Sequence, residues 1–79
     1  MTEQYSTDAC WQDLADAIIV QAASDYRRTM KRLRENSRNT RLLSDRQSLE
    51  AFFQSSWFHQ LTSLDGRQLL TDLQKEAFQ

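Results

Sequence analysis

TDACWQDLADAIIVQAASDYRRTMKRLRE, residues 7–35, contains no Pro and no Gly and repeats its apolar positions at helical spacing. Trp11, Leu14, Ala15, Ile18, Ala22, Tyr26, Met30 and Leu33 follow at steps of one, three or four, with Ile19 and Thr29 alongside. They lie on one stripe of an amphipathic helix. Thr7 or Asp8 supplies its start, because either side chain accepts a bond from a free backbone N–H. The pattern runs to about Glu35. About 28 residues at ~1.5 Å each make a helix about 42 Å long. A compact globule of this chain length has a radius of gyration of about 12 Å and a diameter near 30 Å. The helix therefore breaks early, or belongs to an elongated hairpin, or pairs at its tip with another chain.

The same stretch carries a charge switch. Residues 1–26 hold Glu3, Asp8, Asp13, Asp16 and Asp25 and no Lys or Arg. Residues 27–46 hold Arg27, Arg28, Lys31, Arg32, Arg34, Arg38, Arg41 and Arg46 against Glu35 and Asp45. The net charge of −1 thus conceals a dipolar molecule. Acids early and bases late also suit the helix dipole. Arg27, Lys31, Arg34 and Arg38 fall opposite the apolar stripe. A localised basic patch selects an anionic partner or the acidic surface of a neighbouring subunit. The candidate contact surface is Arg27, Arg28, Lys31, Arg34, Arg38 and Arg41, with Asp13 and Asp16 at the other end. The two ends suit head-to-tail pairing between subunits.

Outward from this helix, Asn36-Ser37-Arg38-Asn39-Thr40 reads as a polar turn, with Asn and Ser able to bond their own backbone. A second helix follows from about Thr40 to Ser55, with Leu42, Leu49, Phe52 and Phe53 on its apolar face. Ser44 and Gln47 offer a capping box if it starts late. An antiparallel hairpin would bring Leu33 to Leu42 and Tyr26 to Leu49. Residues 55–61 read as a break and a short helix. Asp65 then caps a last helix that begins at Gly66, with Gln68 as capping-box partner and Leu69, Leu70, Leu73 and Ala77 on one face. Trp57, Phe58, Leu61 and Leu64 are expected beneath it and against Trp11, Leu14 and Ile18, while Phe78 falls off the stripe. The fold class is all-α: a long antiparallel helical hairpin closed by a short helix and a C-terminal helix.

The whole chain of 79 residues makes one helical domain, with residues 1–7 flexible. A chain this short has a marginal core. Its one cysteine, Cys10, forms no intramolecular disulfide, and with the single His59 it does not fill the usual zinc site. Good helix packing or self-association is left to supply stability, and a homo-oligomer is expected. No apolar run approaches a membrane span, and MTEQYSTDAC lacks the basic and apolar regions of a signal peptide. A lone cysteine fits a reducing compartment, so a cytoplasmic location is expected.

Each chemical motif has a plainer reading beside it. The Arg-rich segment 27–46 suits phosphate, since the guanidinium fork matches its oxygens. Nucleic-acid binding nevertheless ranks second, because the domain is slightly acidic and no aromatic platform is interleaved with the arginines. Phe52, Phe53, Trp57 and Phe58 read first as core and second as hot spots for a protein partner. Cys10 sits near a helix start, but Asp8 and Asp13 disfavour its thiolate, so it reads as a small half-buried hydrophobe. His59 with Ser55, Ser56 and Asp65 has the residue types of a hydrolytic triad without an oxyanion hole. Neither a phosphate loop nor a metal-ligand set is present, so neither an enzyme nor a cofactor is expected.

Two stretches, AIIVQAASDYRR (Ala17–Arg28) and FFQSSWFHQLTSLDGRQLL (Phe52–Leu70), resemble small uncharacterised helical proteins of Gram-positive prophages and integrative mobile elements. The similarity covers most of the chain outside 36–48. Its most specific part is Trp57-Phe58-x-x-Leu61-Thr62-x-x-Asp65-Gly66. The resemblance implies a genetic setting and carries over no functional residues. The expected function is a non-catalytic protein–protein interaction module, an accessory protein of a phage or mobile element. The alternatives are nucleic-acid binding through residues 27–46, inhibition of a host enzyme or defence complex, and a purely structural subunit.

Overall fold

The computed structural model describes residues 7–77, with side chains from residue 11 onward. It is all-α: α1 (Thr7–Glu35), α2 (Thr40–Phe53), α3 (Ser56–Leu61) and α4 (Gly66–Ala77), with no strand among the described residues. The expected flexibility of the first residues, the packing of Cys10 and the position of Phe78 lie outside the described residues. Thr7 itself opens α1. That helix is continuous for 29 residues and does not break past Ala23. The molecule accommodates it by elongation: its extents are 53 × 23 × 22 Å and its radius of gyration is 15.2 Å.

The turn after α1 is held by Asn39 N–H donating to the Asn36 carbonyl at 3.2 Å. Asn39 is then the N-cap of α2, its backbone extended at φ −71°, ψ 111°. Its side-chain oxygen accepts from the N–H groups of Arg41 and Leu42 at 3.0 and 3.1 Å. The cap three residues past Asn36 makes the later Ser44–Gln47 capping box unnecessary. Ser55 performs two bonds at the α2–α3 corner: its Oγ donates to the Phe52 carbonyl at 2.7 Å and accepts from Phe58 N–H at 3.2 Å. Asp65 accepts from the N–H groups of Arg67 and Gln68 at 3.0 and 3.3 Å and so caps α4. The reciprocal half of the expected capping box is not made. Gln68 instead reaches forward one turn and donates to Asp72 at 3.0 Å.

α2 returns antiparallel along α1, since Tyr26 meets Glu50 near the end of α2 while Leu33 and Leu43 line one cavity near its start. α4 runs parallel to α1: Gly66 lies against Phe53, and Glu76 and Ala77 lie beside Arg27, Lys31 and Arg34. The α1–α2 register differs slightly from the expected pairing. Leu43 rather than Leu42 shares a cavity with Leu33, while Leu42 and Leu49 line the flank beside Asp25, Arg28 and Thr29. Adjacent leucines 100° apart on a helix thus straddle α1.

The core sits at mid-length. Tyr26, Phe53, Phe58 and Leu73 are its largest fully buried side chains. The three rings meet edge to face, Tyr26 on Phe53 at 6.2 Å and Phe53 on Phe58 at 5.8 Å between centroids. Burying such a side chain contributes about 1.5–3 kcal/mol. Ala15, Ala22 and Ala23 are buried on α1, small enough to let α2, α3 and α4 approach its backbone. Gly66 is buried for a related reason: a Cβ there would overlap the Phe53 carbonyl.

One polar cluster crosses this core. The Tyr26 hydroxyl donates to Glu50 Oε2 at 2.7 Å, and Gln74 Nε2 lies 3.5 Å from both. It draws one residue from each of α1, α2 and α4. Burial, reinforced by the Glu50 hydrogen bond, pushes the Tyr26 hydroxyl up to about 12. Arg46 Nε stands 3.8 Å from Glu50, too far for a hydrogen bond, and is buried without one among the described residues.

Candidate functional site

The basic residues do not form one surface. Arg27, Lys31 and Arg34 line a groove between α1 and α4, together with Leu73, Glu76 and Ala77. They were expected opposite the apolar stripe. They are exposed there and also border α4, because Ala23 turns a small buried side chain toward that flank and α4 packs beside it. Arg28 and Arg32 lie on the other flank with Asp25, Asp45 and Leu49. Arg38 and Arg41 are exposed at the tip, in the turn and in the first turn of α2.

Several of these cations already have acidic partners in the chain. Arg27 grips Glu76 with two bonds of 3.0 and 3.2 Å, and holds its carboxyl below the usual carboxylate range. Arg28 lies 3.5 Å from Asp25. Lys31 makes no ion pair among the described residues. At the other end Asp13 and Asp16 are exposed, and Gln12 donates to Asp16 at 2.8 Å.

The residues with hydrolytic chemistry are spent on structure. Ser55 and Asp65 are caps, and His59 is exposed with its ring edge-on to Phe58 at 6.1 Å. No group of three or more metal-ligating side chains occurs among the described residues. No helix among them is long and apolar enough to cross a membrane.

The feature sequence reading misses is apolar. Trp11, Leu14, Trp57 and Leu64 were expected in the core, yet they are 42%, 54%, 46% and 56% exposed. Trp11 and Trp57 touch edge to face at 6.3 Å, and Leu14 and the half-buried Ile18 continue the stripe along α1. The cause is length. Only the six residues of α3 reach the first turns of α1, whereas α2 and α4 cover its middle and end. The signal was available: helices of 14 and 12 residues do not cover one of 29. Of the aromatic cluster 52–58, Phe53 and Phe58 are core, Phe52 is half-buried and Trp57 faces outward.

This geometry defines a class, an elongated helical bundle with an open aromatic end and divided basic flanks. No family model matches the chain, and neither a curated protein nor a solved structure is similar to it.

Proposed function

We propose that this chain is a non-catalytic helical protein–protein interaction module, an accessory protein of a phage or mobile element. The observation that carries the reading is the Trp11–Trp57 pair, two large rings half out of the core and continued by Leu14. Exposed tryptophans beside an aliphatic stripe are the side chains that dominate the energy of protein interfaces. The mobile-element setting rests on the resemblance of residues 17–28 and 52–70. Inhibition of a host enzyme or defence complex is one form such a module takes.

The Arg-rich segment 27–46 supports nucleic-acid binding less well. Its cations point to three sides of the molecule, and Arg27, Arg28 and Arg46 face acids of the same chain.

Capture from a nuclease-treated lysate tests the reading, run with the wild type and with Trp57→Ser. The partner should stay with the wild type and be lost from the variant, whose helicity and melting remain near the wild type. The chain holds only two tryptophans, both at this end, so their acrylamide quenching should fall when the partner binds. Retention of all captured proteins by both chains, or loss of all capture on nuclease treatment, refutes it.

A further inference from the structure

One face of α1 follows a strict repeat of fours and threes: Asp13, Ala17, Val20, Ser24, Arg27, Lys31 and Arg34. All seven are exposed, Val20 at 67%, while Ile19, Ala23 and Tyr26 beside them are buried. Alternating steps of four and three keep residues on one seam of a helix pair. The seam is about 32 Å long at ~1.5 Å per residue. It is acidic at one end, small in the middle and basic at the other. Such a face is complementary to itself read backwards.

We propose that this face is the seam of an antiparallel two-fold homodimer, α1 against α1 of a second copy. With the axis beside Ala22, Asp13 meets the partner's Lys31, Ala17 meets the partner's Arg27 and Val20 meets the partner's Ser24. Each contact occurs twice, so the assembly closes on itself. Ala17, Val20 and Ser24 let the two backbones come close at the centre, and Val20 leaves water. Asp16, on the α4 side of the seam, approaches the same groove of the second copy, where Lys31 stands beside Leu73 and Ala77 and Glu76 is already matched by Arg27.

The charges choose this occupant and this direction. A parallel pair sets Asp13 on the partner's Asp13 and the partner's Lys31 on Lys31, and like charges in register are costly. A polyanion is attracted by one half of the seam and repelled by the other. The seam also lies about half a turn around the helix from Trp11, since Val20 follows it by nine residues. The proposal therefore stands apart from the Trp11–Trp57 end and leaves that end free.

Sedimentation of the full chain over a range of concentrations, at low and high salt, tests it. A dimer should grow with concentration and weaken as salt screens the seam. Asp13→Lys with Asp16→Lys in one chain, or Lys31→Glu in another, should each weaken self-association by about tenfold or more. All three sites are exposed, so folding should persist by circular dichroism. Mixing the two variants should restore a mixed dimer, because opposite charges then face again at both ends. A wild-type monomer at every concentration overturns the proposal. So does a dimer indifferent to these reversals, or one lost instead on Trp57→Ser.

Discussion

Replacing Gly66 with alanine should destabilise the fold, against the ordinary direction for a helical glycine. In an open helix that exchange gains up to about 1 kcal/mol, and less at a first helical position. At Gly66 the new Cβ overlaps the carbonyl oxygen of Phe53, and lies 3.0 Å from its carbonyl carbon and 3.1 Å from Phe58 Cδ1. The first obstacle is backbone, so no rotamer change relieves it. The start of α4 must move off α2 by on the order of 1 Å to regain ordinary contact. That movement loosens Phe53, Phe58, Leu70 and Leu73 together, all of them buried. Overpacking of this kind costs about 1–3 kcal/mol, and with the small propensity gain subtracted the net loss is about 1–2 kcal/mol. A domain of this size holds about 4–12 kcal/mol in all. The melting temperature should fall by about 4–16 °C. Thermal melts at 222 nm and urea midpoints measure it, with Ser48→Ala on the exposed side of α2 as a control that should melt at or slightly above the wild type. If Gly66→Ala melts with or above the wild type, the close approach of α4 to the Phe53 carbonyl is wrong.

Asn39→Ala removes the oxygen that accepts two backbone N–H bonds at the start of α2, and should cost about 1 kcal/mol in urea titration. Raising the pH should weaken the fold through Tyr26. Its hydroxyl is held up to about 12 from 10.0 in the folded chain, so its contribution is complete below pH ~10 and is lost as pH climbs from about 10 to 12. The loss should reach about 2–3 kcal/mol at ~1.36 kcal/mol per unit, and urea midpoints of Tyr26→Phe should be flatter over the same range. Arg27→Ala removes an ion pair whose side chains are 55% and 50% exposed, and should leave the melting temperature within error of the wild type at physiological salt.

The helices were legible because nothing in the sequence contradicts them. With Pro absent and one Gly at a helix start, local propensity and apolar spacing agree from Thr7 to Glu35 and again from Gly66. The Asp65 cap was readable from its position before an apolar run. The outward turn of Trp11, Leu14 and Leu64 was not readable from spacing, which tells which residues share a face and not which neighbour reaches it; only the mismatch of helix lengths pointed to it. Leu43 escaped for the same reason: it belongs to the α2 apolar face only once α1 lies between it and Leu42. The basic candidates were recognised as charges, but their division between two flanks depends on where α4 packs, and that is decided by the small side chains of Ala22 and Ala23. Glu50 and Gln74 look like surface polar residues in sequence. Only the three-helix packing turns them inward to meet Tyr26.

The uneven cover along α1 has a kinetic consequence. Amide protons around Ala22–Tyr26 are shielded by α2 and α4 and should exchange with solvent only when the whole domain opens. Those near Trp11 and Leu14 rest on α3 alone, and should exchange through brief local fraying at far lower free energy. One continuous helix thus holds two rates of opening. Its guarded half preserves the fold, while its loosely guarded half remains free to remodel without disturbing Tyr26, Glu50 and Gln74.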